Sequence, residues 1–285
     1  MARRDLSTTA LYTAHAQFWG DLSCADLFFQ DDARSAFGVT NFVLGLRRLF
    51  RWRQPSLAAG IVQRHVMIDE LLRRSSADQV LELACGFSRR GAAFSEDSAL
   101  EYVEVDLPAV VALKRELLAR TEQGQEVAFR ENLRWVSADV EKAHLARLVD
   151  ANRSTFVIAE GLFMYLDCER QRRLWREIAS VLGSARGGTF VFDLVPGCEQ
   201  PPGLMDRFFG GLMGLFTGGR GFVTDDRTRE DIACELREAG FDGVELMEPG
   251  DVDEDWALPF KGESTKQLLF VCRCHGTGEK ESDDS

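Results

Sequence analysis

"VLELACGFSRRG", residues 80–91, joins an apolar run to a glycine turn and two adjacent arginines. Val80 to Leu83 reads as a buried strand, yet it carries a carboxylate, Glu82. A buried charge is costly unless something pairs with it. Glu82 therefore either meets a ligand or braces the backbone of the loop that follows. That loop breaks at Cys85–Gly86, where the missing side chain lets the main chain approach another molecule closely.

Working outward, the rhythm on the C-terminal side is strand, helix, strand. Strands are predicted at 79–84 (QVLELA), 101–106 (EYVEVD), 133–139 (LRWVSAD), 155–161 (TFVIAEG) and 188–194 (GTFVFDL). Helical periodicity fills the intervals, as in 108–121 and 168–182, with Pro108 at a first-turn position that tolerates proline. Such alternation implies a parallel, doubly wound α/β sheet. The runs at 241–248 and 266–274 follow one another with no helix between them, so they predict an antiparallel hairpin that closes the sheet. Upstream, residues 1–75 read as helical: 57–75 (LAAGIVQRHVMIDELLRRS) repeats apolar residues at i, i+3 and i+4. The expected division is a helical cap at 1–75, a sheet domain at 76–275 and a disordered tail at 276–285.

The strand ends point to a ligand. In an open α/β sheet, ligands bind outside the carboxyl ends of the strands. Glu82, Asp106, Asp139 and Glu160 lie near those ends on four successive strands. An acid at Asp106 can accept both hydroxyls of a ribose, and one at Asp139 can accept an adenine amino hydrogen. The dinucleotide fingerprint G-x-G-x-x-G fails, because its positions hold Ala84, Gly86 and Arg89. A nucleoside-bearing ligand without a pyrophosphate fits better, with S-adenosyl-L-methionine leading. Leu107 and Val140, each next to a strand-end acid, join Glu82, Ala84 and Gly86 in the candidate cofactor-binding set.

Composition narrows the partners. A formal charge of −12 argues against a nucleic-acid binder and a membrane-surface binder. No apolar run approaches the ~20 residues that span a bilayer. The N-terminal "MARRDLSTTA" lacks the apolar stretch of a secretory signal. Seven scattered cysteines read as reduced thiols, so a soluble cytoplasmic protein is expected, with a homodimer allowed. The "VCRCH" run lacks a second cysteine pair, so no metal site is expected.

Three segments, "LELACGFSRRG", "YVEVDLPAVVALKRELL" and "FVIAEGLFMYLD", together resemble the leucine carboxyl methyltransferase family, most closely its bacterial polyketide carboxyl O-methyltransferase branch. The N-terminal "TALYTAHAQFW" and "QRHVMIDELL" are similar to that family too, so the likeness runs over most of residues 8–194. It implies a class I (Rossmann-like) S-adenosylmethionine fold with a helical cap, and methyl transfer to a carboxylate or hydroxyl oxygen. By position it makes Asp106 the ribose acid, Asp139 the adenine acid, Glu160 the acid near the methionine end, and Arg64 the cap arginine for the cofactor's carboxylate. Ala84 departs from the glycine that many methyltransferases carry there.

The acceptor is less legible. Residues 196–222 are rich in Phe, Leu, Met and Gly and are read as an apolar lid hinged at its glycines. With Phe18 and Trp19 it suits a small hydrophobic or aromatic acceptor. A carboxylate acceptor needs no base, and Arg90 and Tyr165, just past strand ends, are the candidates to pair with it. A phenolic acceptor would want a base, for which His15 and His65 are the sources. A non-catalytic, cofactor-binding scaffold is the alternative of another class.

Overall fold

The computed structural model describes residues 8–28, 57–196, 199, 226–261 and 267–276. Among these, seven strands form one sheet: β1 (Gln79–Leu83), β2 (Glu101–Asp106), β3 (Leu133–Ser137), β4 (Thr155–Ala159), β5 (Gly187–Asp193), β6 (Gly243–Met247) and β7 (Leu269–His275). Their order is β3-β2-β1-β4-β5-β7-β6. The first five are parallel, and β7 lies antiparallel between β5 and β6. The expected terminal hairpin is present, with its second strand inserted beside β5 and its first left at the edge.

The central strands are buried on both faces, which is why β1 and β4 read as near-continuous apolar runs. Alternation divides their side chains between two cores. On one face Val80, Phe156 and Ile158 meet Met67, Ile68 and Leu72 of helix α2 (Leu57–Arg73), and Leu117 and Leu118 of α4 (Pro108–Leu118). Between these helices the chain makes the short α3 (Arg90–Phe94). Beyond α4, helix α5 (Glu122–Ala128) adds Val127 to the same core. On the other face Leu81, Leu83 and Val157 meet Trp175, Ile178 and Leu182 of α6 (Cys168–Ser184), and Ile232 and Leu236 of α7 (Arg229–Ala239). Phe190, Phe192 and Phe270 stack across β5 and β7 at centroid spacings of 4.9 and 5.1 Å. Each fully buried side chain of this size stabilises the fold by about 1.5–3 kcal/mol.

Local signals set the helix ends. Asp167 caps α6 by accepting from Arg170 N at 2.9 Å. Thr228 and Asp231 form a reciprocal capping box on α7, and Gly240 ends that helix at φ +113°. The cysteines of "VCRCH" alternate as a strand requires, with Cys272 and Cys274 buried and Arg273 exposed.

Helix α1 (Thr8–Trp19), a 3-10 turn at Ala25–Phe28 and α2 precede the sheet. α1 packs on α2 and reaches the loop after β1, where Gln17 Oε1 accepts from Arg89 N at 3.3 Å. The rest of the cap, the tail beyond Gly276, and the lid read at 196–222 (apart from Pro196 and Glu199) lie outside the described residues. No helix among the described residues is long and apolar enough to cross a membrane.

Candidate active site at the carboxyl edge of the sheet

The loop after β1 turns through two left-handed residues, Ala84 at φ +51° and Gly86 at φ +53°. That conformation costs alanine roughly 1–2 kcal/mol and glycine almost nothing. Asp106, at the end of β2, ties this loop to its own. One carboxylate oxygen accepts Gly86 N and the other accepts Leu107 N, each at 2.6 Å. Burial raises the Asp106 pKa, and the two backbone N–H groups oppose that rise. A side chain added at Gly86 would find Ala10 Cβ nearest, at 3.7 Å. Packing therefore leaves room at Gly86, and its left-handed backbone is the reason for glycine.

The neighbouring candidates differ in exposure. Asp139, past the end of β3, keeps about a third of its side-chain surface (35%) and pairs with Lys142 at 3.2 Å. Leu107 is 46% exposed at the lip, whereas Val140 is buried in the core.

At the other end of the edge stands an ionic cluster. Arg64 donates from Nε to Glu160 at 2.9 Å and from Nη1 to Asp193 at 2.5 Å. Glu160 follows β4 and Asp193 ends β5, so one helical arginine bridges two strand ends. On α2, then, Arg64 is turned inward while Arg73 and Arg74 stay on the exposed side. Glu160 also meets Arg90 Nη2 at 2.6 Å and His65 Nδ1 at 3.0 Å. Burial would raise the Glu160 pKa, but the charges of Arg90 and Arg64 hold it well below the usual carboxylate range.

Two expectations are corrected here. Arg90 does not reach toward an acceptor: it is wholly buried, held by Asp69 at 2.7 Å, Glu82 at 3.0 Å, Glu160, and the His65 carbonyl at 3.1 Å. Glu82 does not face a cofactor: it is 1% exposed, and its second oxygen accepts the Tyr102 hydroxyl at 2.8 Å. The acid in the buried strand is there for the arginine eight residues on. Its companion Arg89 ion-pairs with Asp69 and donates to Ser23 at 3.1 Å. Gly91, which closes the quoted stretch, has no room for a side chain, since a Cβ would lie 2.2 Å from Glu104 Oε1. Glu104 in turn pairs with the buried Lys114 at 2.8 Å, and Lys114 donates to Ser88 O at 2.7 Å, pinning the loop from below.

Tyr165 sits half-buried in the 3-10 turn Phe163–Tyr165 just after β4. His15 is buried on α1, its ring 6.2 Å from that of Phe18. His65 is fully buried, and burial beside Arg90 lowers its pKa to about 3. Asp193 and Asp69 also belong to this cluster, though neither stands among the candidates expected from the sequence. Asp193 could have been found by the same rule as the others, being an acid at a parallel strand's end. Asp69 carried no such signal, because its role depends on a turn of α2 meeting the loop after β1. Among the described residues, no group of three or more His, Cys, Asp or Glu side chains is arranged to hold a metal ion.

From β3 to β5 the edge presents Asp139, Asp106, the bare turn at Gly86, then Glu160 and Asp193 bridged by Arg64. These are complements for an exocyclic amine, vicinal hydroxyls, a close backbone approach and an amino-acid zwitterion. S-adenosylmethionine carries all of these groups, so the residues present fit it.

The fold and this edge define the chain as a class I methyltransferase fold, with a seven-stranded sheet and one antiparallel strand inserted near its end. The chain belongs to the leucine carboxyl methyltransferase family, whose model matches residues 21–179. Among curated relatives, "Putative S-adenosyl-L-methionine-dependent methyltransferase" of Mycobacterium ulcerans is 34% identical over 131 residues, 45% of this chain and 40% of that protein. Tetracenomycin polyketide synthesis O-methyltransferase TcmP of Streptomyces glaucescens is 29% identical over 116 residues, 41% of this chain and 38% of that protein. These matches thus take in about two fifths of each relative's length. The solved structure of PigF with SAH shares the fold, with a TM-score of 0.50, 14% identity, and coverage of 76% of this chain and 59% of that one.

Proposed function

We propose that this chain is an S-adenosylmethionine-dependent O-methyltransferase that methylates a carboxylate of a small hydrophobic or aromatic acceptor. The observation that carries the reading is the ordered row of groups on the carboxyl edge, with Arg64 bridging Glu160 and Asp193. Family membership and the O-methyltransferase among the relatives support it.

Bound S-adenosylmethionine supplies a methyl group activated on a sulfonium. In this reading Arg64 holds the cofactor's carboxylate and Glu160 and Asp193 its ammonium. Asp106 takes the ribose hydroxyls while still holding Gly86 N and Leu107 N, and Asp139 takes the adenine amine. Methyl transfer is an in-line displacement, so the protein acts mainly by alignment and exclusion of water. A carboxylate acceptor is ionised at neutral pH and needs no base. That suits a site where His65 is buried, neutral and engaged with Glu160. A phenolic acceptor is the second reading, and it would draw on His15 as base. With Arg90 enclosed, Tyr165 remains the candidate to orient the acceptor. The helical region before the sheet and the 196–222 segment are proposed as the cap and lid over that acceptor.

Calorimetry with S-adenosylhomocysteine should give one site per chain, and no binding would overturn the cofactor reading. Incubation with S-adenosylmethionine and aromatic carboxylic acids should yield a product heavier by one methyl group. Mild alkali then separates the alternatives, because a methyl ester is cleaved and an aryl methyl ether survives. A chain that binds the cofactor but methylates neither acids nor phenols would be a scaffold.

A further inference from the structure

We propose that His65 is a positioning residue for this site, orienting the Glu160 carboxylate toward the cofactor's ammonium group. The inference rests on the methyltransferase reading above.

His65 follows Arg64 on α2 and has no solvent exposure. Its Nδ1 lies 3.0 Å from Glu160 Oε2. An ionised carboxylate can only accept, so Nδ1 must carry the proton. Nε2 then presents a lone pair, and among the described residues it has no hydrogen-bond partner. That suits a neutral ring, since a buried Nε2–H left unpaired would be penalised. The charged groups around His65 are Glu160, Arg90 and Arg89. Arg90 and His65 both hold Oε2 from the buried side, and Arg64 holds Oε1 on the side of Asp193. The carboxylate plane is fixed at three points, and Oε1, with one protein donor, keeps capacity for a ligand cation. A neutral donor does this without bringing a third positive charge to Glu160. The His65 carbonyl separately accepts from Arg90 at 3.1 Å, a contact that survives any side-chain change.

The test uses S-adenosylhomocysteine binding to the full chain by calorimetry. His65→Leu removes the donor and should weaken binding about tenfold, the usual effect of losing a hydrogen bond to a charged group. His65→Asn places an amide N–H near the Nδ1 position and should restore affinity to within about threefold of the parent. Leu and parent binding alike, or Leu and Asn losing equally, overturns the proposal, since the first denies a role and the second makes it packing. If the Leu variant fails to fold, ¹⁵N spectra of the parent decide. The Nδ1–H tautomer should be present, and its resonance should shift when S-adenosylhomocysteine is added. The opposite tautomer, or an unmoved resonance, overturns the assignment. A parent that binds no S-adenosylhomocysteine removes the cofactor reading itself, and this inference with it. A parent that binds while the Leu variant is unaffected removes this inference alone.

Discussion

Arg90 Nη1 donates to Glu82 Oε1 at 3.0 Å in the interior, with neither side chain reaching solvent. Glu82 lies within β1 and Arg90 opens α3, so this pair closes the glycine loop between them like a clasp. Asp69 and Glu160 hold the remaining faces of the same guanidinium. The two cations and three carboxylates joined through Arg89 and Arg90 bind α2, β1, the loop and the end of β4 into one unit.

Removing one member of a buried ion pair strands its partners. Arg90→Ala should lower stability by about 3–5 kcal/mol, read from the denaturant midpoint. Arg90→Lys should also be destabilised, because one ammonium cannot reproduce a planar fork that serves Asp69, Glu82 and Glu160 together. A loss below about 1 kcal/mol in both would mean the network is dispensable.

Arg64 spans two carboxylates that come from different strands. Arg64→Lys keeps the charge but cannot pair with Glu160 and Asp193 at once. S-adenosylhomocysteine should then bind at least about tenfold more weakly, as for any lost charge-assisted pair. Equal affinity in Arg64→Ala and the parent would confine Arg64 to a structural role.

Asp106 holds two backbone N–H groups, and it is read as the ribose acid as well. Asp106→Asn can still accept through its amide oxygen but turns an NH₂ toward one of the two donors. Cofactor affinity should fall by at least about tenfold while the circular dichroism spectrum stays native. The pH dependence has a definite sign, because burial raises this pKa in the folded chain. Ribose binding needs the ionised form, so affinity should begin to fall at a higher pH than for an ordinary carboxylate as the solution is acidified. For folding the same shift acts in reverse. This group's contribution is present below its unfolded pKa and is lost as pH rises through the folded value.

His65 gives stability an acid-side slope. Its pKa falls from 6.5 to about 3 in the fold, so between those values the unfolded chain binds a proton that the folded chain refuses. The contribution is present above pH 6.5 and is lost as pH falls toward 3, at about 1.4 kcal/mol per unit. Glu160, held low by its cations, adds loss of the same sign below its own unfolded pKa near 4.5. Stability measured on the parent and on His65→Leu from pH 7 to 5 should therefore diverge in slope, with the variant flatter. Parallel curves would mean that His65 titrates in the fold as it does in the unfolded chain.

Much of this architecture is readable along the chain, because the forces behind it are local. Period-2 and period-3.6 apolar patterns record which side chains face a core, and strands buried on both faces leave runs such as Val80–Leu83 and Phe156–Ala159. An acid at a strand's end is also a local fact, and it marks Asp106, Asp139 and Glu160 in the sequence itself. Asp193 obeys the same rule, lying one residue before the end of the predicted strand at 188–194 just as Glu160 lies one residue before the end of the one at 155–161.

What a charged side chain pairs with is not local. Arg90 and Tyr165 both lie just past strand ends, and nothing in their neighbours in sequence separates them; folding encloses Arg90 among Asp69, Glu82 and Glu160 and leaves Tyr165 half-buried in its turn. Glu82 and Glu160 are likewise similar in pattern, yet one is sealed against Tyr102 and the other sits beside Arg64 at the site. Arg64, on a helix that also carries Arg73 and Arg74, is committed by partners 96 and 129 residues away. The sequence alone determined the sheet, its helices and the row of strand-end acids, since burial and backbone periodicity act over a few residues. Only the tertiary structure decided which acids brace the loop and which pair with Arg64, because an ion pair's energy depends on distance and burial, and those exist only once remote segments meet.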